Sequence, residues 1–163
     1  MKIAICYYSA HHGNTRKLVQ TIALAEETAV FDLSAQPQIR LEEYDCVGFA
    51  SGIYGFAIHP SVVEFARQQL PQGMPVFFVY TYGLRPGTGT RALEELAAQR
   101  GCPVWGEFSC RGYTTYGPLK LLGGAAKGHP DEEDLAAARV FYREILKKQE
   151  EFSGGNCSKQ SDK

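Results

Sequence analysis

An α/β sandwich is the fold class this sequence predicts, and three observations predict it. Five apolar runs of four to eight residues recur along the chain, nearly continuous rather than alternating, which is the pattern of strands covered on both faces. Stretches with helical period lie between most of them, as a parallel sheet with crossover helices requires. The 163 residues, 44% apolar and 21% charged, suffice for one domain with its own core, with no disulfide or structural metal needed.

The first strand is read at Lys2 to Tyr7 and the first helix at Thr15 to Glu27, where Leu18, Val19, Ile22 and Ala23 share a face. A second strand follows at Thr28 to Leu33. The next connection, Ser34 to Tyr44, contains Pro37 and too few residues for a full helix, so it is expected to be short or irregular. Cys46 to Ala50 is the third strand. The second helix, Pro60 to Leu70, places Pro60 in its first turn and Val62, Phe65, Ala66 and Leu70 toward a core. Pro75 to Tyr80 and Pro103 to Phe108 complete the strands, separated by a helix at Thr90 to Arg100 carrying Leu93, Leu96 and Ala97. The last helix runs from Asp131 to about Glu150, with Leu135, Ala138, Tyr142 and Ile145 on one face. Its acidic residues come first, and Lys147 and Lys148 come late, as the helix dipole prefers. Arg111 to Pro130, rich in Gly and Tyr, is expected to be irregular. The domain is placed at 1–150, and the polar tail, 151–163, is expected to be disordered.

Composition excludes several classes of function. Seventeen Lys and Arg against 18 Asp and Glu give a net charge of -1 with no long block of one sign, so the usual electrostatic signature of nucleic-acid binding is absent. The weakly polar run from Cys46 to Ile58 is too short for a membrane helix, so no membrane partner is expected. The N-terminal apolar stretch is too short for a secretory signal, which predicts a cytoplasmic protein. The five cysteines are odd in number and contain no Cys-x-x-Cys pair, which favours free thiols over disulfides or zinc; no metal is expected.

In an open α/β sheet, ligands bind at the carboxyl ends of strands where strand order reverses. The loop after the first strand, Ser9-Ala10-His11-His12-Gly13-Asn14-Thr15, follows a strand and opens a helix. It can offer backbone amides and a helix N-terminus to a phosphate, with Ser9, Asn14 and Thr15 as side-chain donors, or Asn14 or Thr15 can simply cap the helix. A Gly-Lys-Ser/Thr nucleotide loop is missing. After the third strand, Ser51-Gly52-Ile53-Tyr54-Gly55-Phe56-Ala57-Ile58 puts aromatics at a ligand edge, a platform for a planar ring, although Phe56 and Ile58 can instead tuck beneath the loop. After the fourth, Thr81-Tyr82-Gly83-Leu84-Arg85 adds a further aromatic, and Gly87-Thr88-Gly89 reads as turn chemistry.

The loop ending Gly13-Asn14-Thr15, followed by Tyr44-Asp45-x-x-Gly48-x-x-Ser51-Gly52-Ile53-Tyr54, resembles the flavodoxin family. The resemblance covers about residues 2 to 147 and is strongest to a branch with a His-His-Gly-Asn-Thr loop. It implies a five-stranded parallel sheet in the order 2-1-3-4-5, with FMN at the switch between strands one and three. Ser9, Ala10, His11, His12, Gly13, Asn14 and Thr15 would then hold the phosphate. Ser51, Gly52, Ile53, Tyr54, Gly55 and Phe56 would lie along the isoalloxazine, and Thr81, Tyr82, Gly83 and Arg85 would close its other side, with Tyr54 and Tyr82 as stacking rings. Ala10 and His12 stand where the family places hydroxyl residues. A phosphate beside an imidazole favours the charged ring, so FMN affinity is expected to fall as pH rises through the histidine range.

Low-potential flavodoxins, the resemblance implies, surround the ring with carboxylates that disfavour its reduced anion. Here Ser51 to Ser61 has none but has His59, and Thr81 to Thr90 has Arg85, so a milder potential is expected. Three readings follow: an FMN-binding electron-transfer protein serving a redox partner protein, an FMN-dependent oxidoreductase exchanging electrons with NAD(P)H or a quinone-type small molecule, or a flavin-free interaction domain. Cys110, at the end of the fifth strand beside Arg111, is either an activated thiol or an inert buried one. His129 reads as a turn or capping residue. The segment holding Tyr113, Tyr116 and Lys120 either folds over the site or forms a partner surface.

Overall fold

The computed structural model describes residues 2–10, 12–24 and 28–157, with side chains as far as residue 152. The strands are β1 (Ile3–Tyr8), β2 (Thr28–Asp32), β3 (Cys46–Tyr54), β4 (Ala57–Ile58), β5 (Val76–Tyr82) and β6 (Val104–Arg111). The helices are α1 (Asn14–Ala23), α2 (Pro60–Gln69), α3 (Arg91–Gln99) and α4 (Glu132–Cys157). Five strands run parallel in the order β2-β1-β3-β5-β6. These correspond to the five expected strands. The five-stranded description is corrected by one addition, the two-residue β4, which pairs antiparallel with the end of β3.

Alternating residues of each central strand separate two cores. Ala4, Cys6, Val47, Phe49, Val76 and Phe78 face α2 and α3, where Val62, Ala66, Leu93 and Ala97 are buried. Ile3, Ile5, Ala50, Phe77 and Val79 face α1 and α4, where Leu18, Val19, Ile22, Leu135, Tyr142 and Ile145 are buried. The central strands read as unbroken apolar runs because both of their faces are covered. Gly48 serves this packing directly: a Cβ there would stand 2.4 Å from the Phe77 ring.

Ser34 to Tyr44 forms two single 3-10 turns, Leu33–Ala35 and Leu41–Glu43, in place of a crossover helix. Arg111 to Pro130 is mostly irregular, as expected, but holds a 3-10 helix at Gly117–Leu122 and a bridge between Thr114 and Ala125. The last helix continues past Glu150 to Cys157, and the rest of the expected tail, 158–163, lies outside the described residues. Among the described residues no helix is long and apolar enough to cross a membrane.

Candidate functional site

β1 and β3 are neighbours, and the chain leaves them for opposite faces, to α1 from β1 and to α2 from β3. That arrangement opens a crevice at their carboxyl ends. A cavity of about 400 Å³ lies there, bordered by the three loops singled out from sequence and by a fourth segment, Gly112 to Leu119. Its size falls within the range of small-molecule sites.

The β1–α1 loop is shaped by backbone geometry. His12 and Gly13 both take left-handed conformations, with φ of 55° and 66°. Gly13 is the residue before α1 and has no side chain to cap it, so of the first-turn amides that helix geometry leaves unpaired, only that of Arg16 meets a side chain, the Ser9 hydroxyl, and those of Asn14 and Thr15 are left for an anion at the positive end of the dipole. A Cβ on Gly13 would meet nothing within 4 Å, so this helix start faces open space. Of the three expected side-chain donors, Asn14 and Thr15 are engaged elsewhere, whereas Ser9 is met only as an acceptor and keeps its O–H to donate. The Ser9 hydroxyl accepts from the Arg16 amide at 3.3 Å, the Asn14 side-chain amide donates to the Tyr113 carbonyl at 2.8 Å, and the buried Thr15 hydroxyl meets that of Thr81 at 3.0 Å. His12 Nε2 lies 3.0 Å from the Thr115 hydroxyl, with its ring tilted against Tyr113. The Ala10 amide donates to the Tyr54 hydroxyl at 3.1 Å. Asn14 and Thr15 border the cavity, Ser9, Ala10, His12 and Gly13 do not, and His11 lies outside the described residues.

The second loop turns at Gly55 and Phe56, both with positive φ, and β4 brings the chain back. Gly52, Ile53, Tyr54, Gly55 and Phe56 all border the cavity. Ser51 does not: it is buried, donates to the Gly52 carbonyl at 2.7 Å and accepts from the His59 amide at 3.2 Å, so it fixes the turn. Phe56 and Ile58 part company, Ile58 buried in the core and Phe56 exposed at the rim. The Tyr54 ring stands edge-on to Tyr8 and His59, which aims its hydroxyl at the β1–α1 loop.

His59 is not the cation expected beside the ring. It stacks on Tyr8 at 3.9 Å and caps α2, its Nδ1 accepting from the Ser61 amide at 3.2 Å. Burial lowers its pKa below the ordinary histidine value, and a ring whose Nδ1 accepts at a helix start is neutral. Arg85 is thus the one charged side chain bordering the cavity among the described residues.

Thr81, Tyr82 and Gly83 join Arg85 in the third wall, and Leu84 adds to it. Gly87 and Gly89 do turn chemistry: the Thr88 amide donates to the Phe56 carbonyl at 2.7 Å, and a Cβ on Gly87 would stand 2.1 Å from that oxygen.

The fourth wall is what sequence reasoning left open. Gly112 donates its amide to the Tyr82 carbonyl at 2.8 Å, and Thr114 pairs with Ala125. Lys17 Nζ donates to the Pro130 carbonyl at 2.7 Å, so both ends of this segment are tied to the sheet edge or to α1. Gly112, Tyr113, Thr114, Tyr116 and Leu119 therefore border the cavity. The signal that could have found them is close approach: a Cβ on Gly83 would stand 2.3 Å from the Thr114 methyl group. Cys110 is buried just behind, and desolvation, with Asp134 and Asp131 adding their charge, pushes its thiol up to about 12, so the inert reading holds. His129 Nδ1 sits 2.6 Å from Asp134 at the start of α4, the turn role expected of it.

Comparison with known proteins agrees with this geometry. The model of the flavodoxin domain family matches residues 5–99. An uncharacterised protein of Methanocaldococcus jannaschii is 36% identical over 149 residues, 90% of this chain and 99% of that protein. A flavodoxin from the domain Archaea superposes with a TM-score of 0.67 at 18% identity, covering 92% of this chain and 99% of that one. The Fusobacterium nucleatum flavodoxin bound to flavin mononucleotide gives 0.65 at 14%, covering 91% and 99%. Rubredoxin oxygen:oxidoreductase of Desulfovibrio gigas gives 0.69 at 15%, over 91% of this chain but 36% of that one. At such identities the structural likenesses are likenesses of fold, and it is the family match, together with the relative in M. jannaschii, that makes this chain a member of the flavodoxin domain family.

Proposed function

We propose that this chain binds FMN in the cavity at the β1–β3 crevice and serves as an electron-transfer protein. The observation that carries the reading is the pairing of a glycine-preceded helix start at α1, where Gly13 supplies no cap, with a cavity whose walls include Tyr54, Tyr82 and Tyr113. The first suits a phosphate dianion and the second a flat aromatic ring. FMN, when bound, supplies the reversible electron chemistry.

The chain's own residues bind and orient. Backbone amides at the start of α1 and the Ser9 O–H hold the phosphate, since Asn14 and Thr15 have other partners while Ser9 only accepts, from the Arg16 amide. On this reading the His-His-Gly-Asn-Thr loop marks a branch of the family that relies on main-chain donors and imidazole. Tyr54 has a double place: its ring borders the cavity, and its hydroxyl holds the Ala10 amide, which a phosphate must share or take over. Arg85, with no carboxylate among the bordering residues described, favours added negative charge on the ring.

The absorption spectrum of the purified protein, recorded before and after adding FMN and removing the excess, tests the proposal. Two flavin bands in one-to-one amount are the expected result. No retained flavin at saturating FMN would overturn it.

A further inference from the structure

His12 and Asn14 stand on either side of Gly13 at the start of α1, and both reach across to the segment that forms the fourth wall of the cavity. His12 Nε2 lies 3.0 Å from the Thr115 hydroxyl, 103 positions along the chain, and its ring packs against that of Tyr113 with centroids 4.5 Å apart and planes tilted by 48°. The Asn14 side-chain amide donates to the Tyr113 carbonyl at 2.8 Å. Tyr113 is fixed from other directions as well: its amide donates to the His129 carbonyl at 2.9 Å and its hydroxyl to the Gly123 carbonyl at 3.2 Å. Its amide, carbonyl and hydroxyl are thus all engaged within the protein, and its side borders the cavity.

His12 takes a left-handed backbone with φ of 55°, which a residue with a side chain enters at a cost that its contacts must offset. Those contacts are with Thr115 and Tyr113, and His12 itself does not border the cavity. An imidazole in this loop can serve a ligand in two ways. A ring that meets a phosphate helps only the ligands that have one. A ring that holds a wall in place helps every ligand the wall covers, because apparent affinity rises with the share of molecules in which the wall is already formed. The two roles therefore separate when the phosphate is removed from the ligand.

We propose that His12 is a positioning residue of the ring site: through Thr115 and Tyr113 it latches the fourth wall to the β1–α1 loop, and its contribution to affinity is made to the flavin ring and not to the phosphate. Of the loop's two imidazoles, this withdraws His12 from the phosphate. Its Nε2 is met by Thr115 and its ring lies against Tyr113, so turning it to an anion would release the wall that the ring of the same ligand needs. The ligand in this proposal rests on the flavin reading above, but the latch does not.

The test is fluorescence titration of the full chain with FMN and with riboflavin, beside the rate of trypsin cleavage after Lys120, an exposed residue of the same segment, in the protein without ligand. His12→Ala should weaken both flavins alike, each by about fivefold, which corresponds to the loss of one hydrogen bond of about 1 kcal/mol. Thr115→Val leaves the β1–α1 loop untouched and should do the same, and the double variant should lose little more than either single one. Cleavage after Lys120 should quicken by a similar factor in each variant, as the open share of the segment grows. His12→Gln, whose side-chain amide can meet the Thr115 hydroxyl, should fall between His12→Ala and the wild type. A loss of FMN affinity with riboflavin unaffected would place His12 on the phosphate and overturn the proposal. So would a Thr115→Val variant that binds both flavins and resists trypsin as the wild type does. Failure of the wild type to bind either flavin would be the separate failure of the flavin reading, and would overturn the proposed role on the ring; the trypsin rates then decide the latch alone, quickened cleavage in both single variants supporting it and unchanged cleavage refuting it.

Discussion

Gly112→Ala probes how the fourth wall of the cavity is held in place. A Cβ at this position would lie 2.8 Å from the Asn14 Nδ2, 3.1 Å from its Cγ and 3.2 Å from its Cβ. All three atoms belong to one side chain, so the Asn14 amide must move by a few tenths of an ångström or more. Its 2.8 Å hydrogen bond to the Tyr113 carbonyl is then lost. A lost bond of this kind costs about 1 kcal/mol, and residual crowding raises the total to about 2 kcal/mol. In a domain of this size that lowers Tm by about 4 to 8 °C, at roughly 2–4 °C per kcal/mol. The wall that carries Tyr113 loosens with it, so FMN affinity should fall by about tenfold. Urea denaturation and fluorescence titration of FMN measure the two effects. The mechanism is specific because Asn14→Ala removes both the bond and most of the clash. In the Asn14→Ala background, Gly112→Ala should therefore cost much less than it does alone. Additive costs in this double-mutant cycle would refute the argument.

Arg85→Glu exchanges the one charge bordering the cavity among the described residues, and at about 1 kcal/mol per unit charge it should lower the two-electron midpoint potential of bound FMN by about 40 mV. An unchanged potential in spectroelectrochemical titration would detach Arg85 from the flavin. Cys6, Cys46, Cys102 and Cys110 are all buried, so in a Cys157→Ser background a thiol reagent at pH 8 should label nothing until urea unfolds the chain. Rapid labelling of Cys110 in the folded protein would contradict its placement. The folded-state pKa of His59 is lowered by burial, so its contribution to stability is complete above the unfolded value near 6.5 and is lost as pH falls toward the folded one. The urea midpoint should drop between pH 7 and 5.5 in the wild type and stay flatter in His59→Asn, which keeps an N-cap acceptor.

Much of this architecture was legible because the two faces of the sheet impose a simple pattern. The run from Pro75 to Tyr80 reads as a strand because Phe77 and Val79 are buried on one face and Phe78 and Val76 on the other. The Pro60 helix start is equally local, set by Pro60 itself and by the His59 cap. Strand ends were harder to read. β3 continues to Tyr54 because β5 still pairs with Ser51 and Gly52 and β4 folds back on Ile53 and Tyr54, which are contacts between distant parts of the chain. The same limit governs the site. Gly13 and the aromatic residues of the second loop stand out in the sequence, but nothing near Gly112 announces that Asn14, 98 positions earlier, will press against it. His59 fails as a cation for a related reason: its neutrality comes from a cap and a stacked ring, neither of which a count of charged residues contains.

The central claim is that the start of α1 holds a phosphate while the neighbouring cavity holds a flavin ring. Parallel fluorescence titrations with FMN and riboflavin test it most directly, since the two ligands share the ring and differ in the phosphate. Charge-assisted bonds to the α1 amides should make FMN bind at least about tenfold more tightly than riboflavin, with one site per chain. Equal affinities would remove the phosphate site from the account, and the absence of saturable binding by either ligand would remove the flavin.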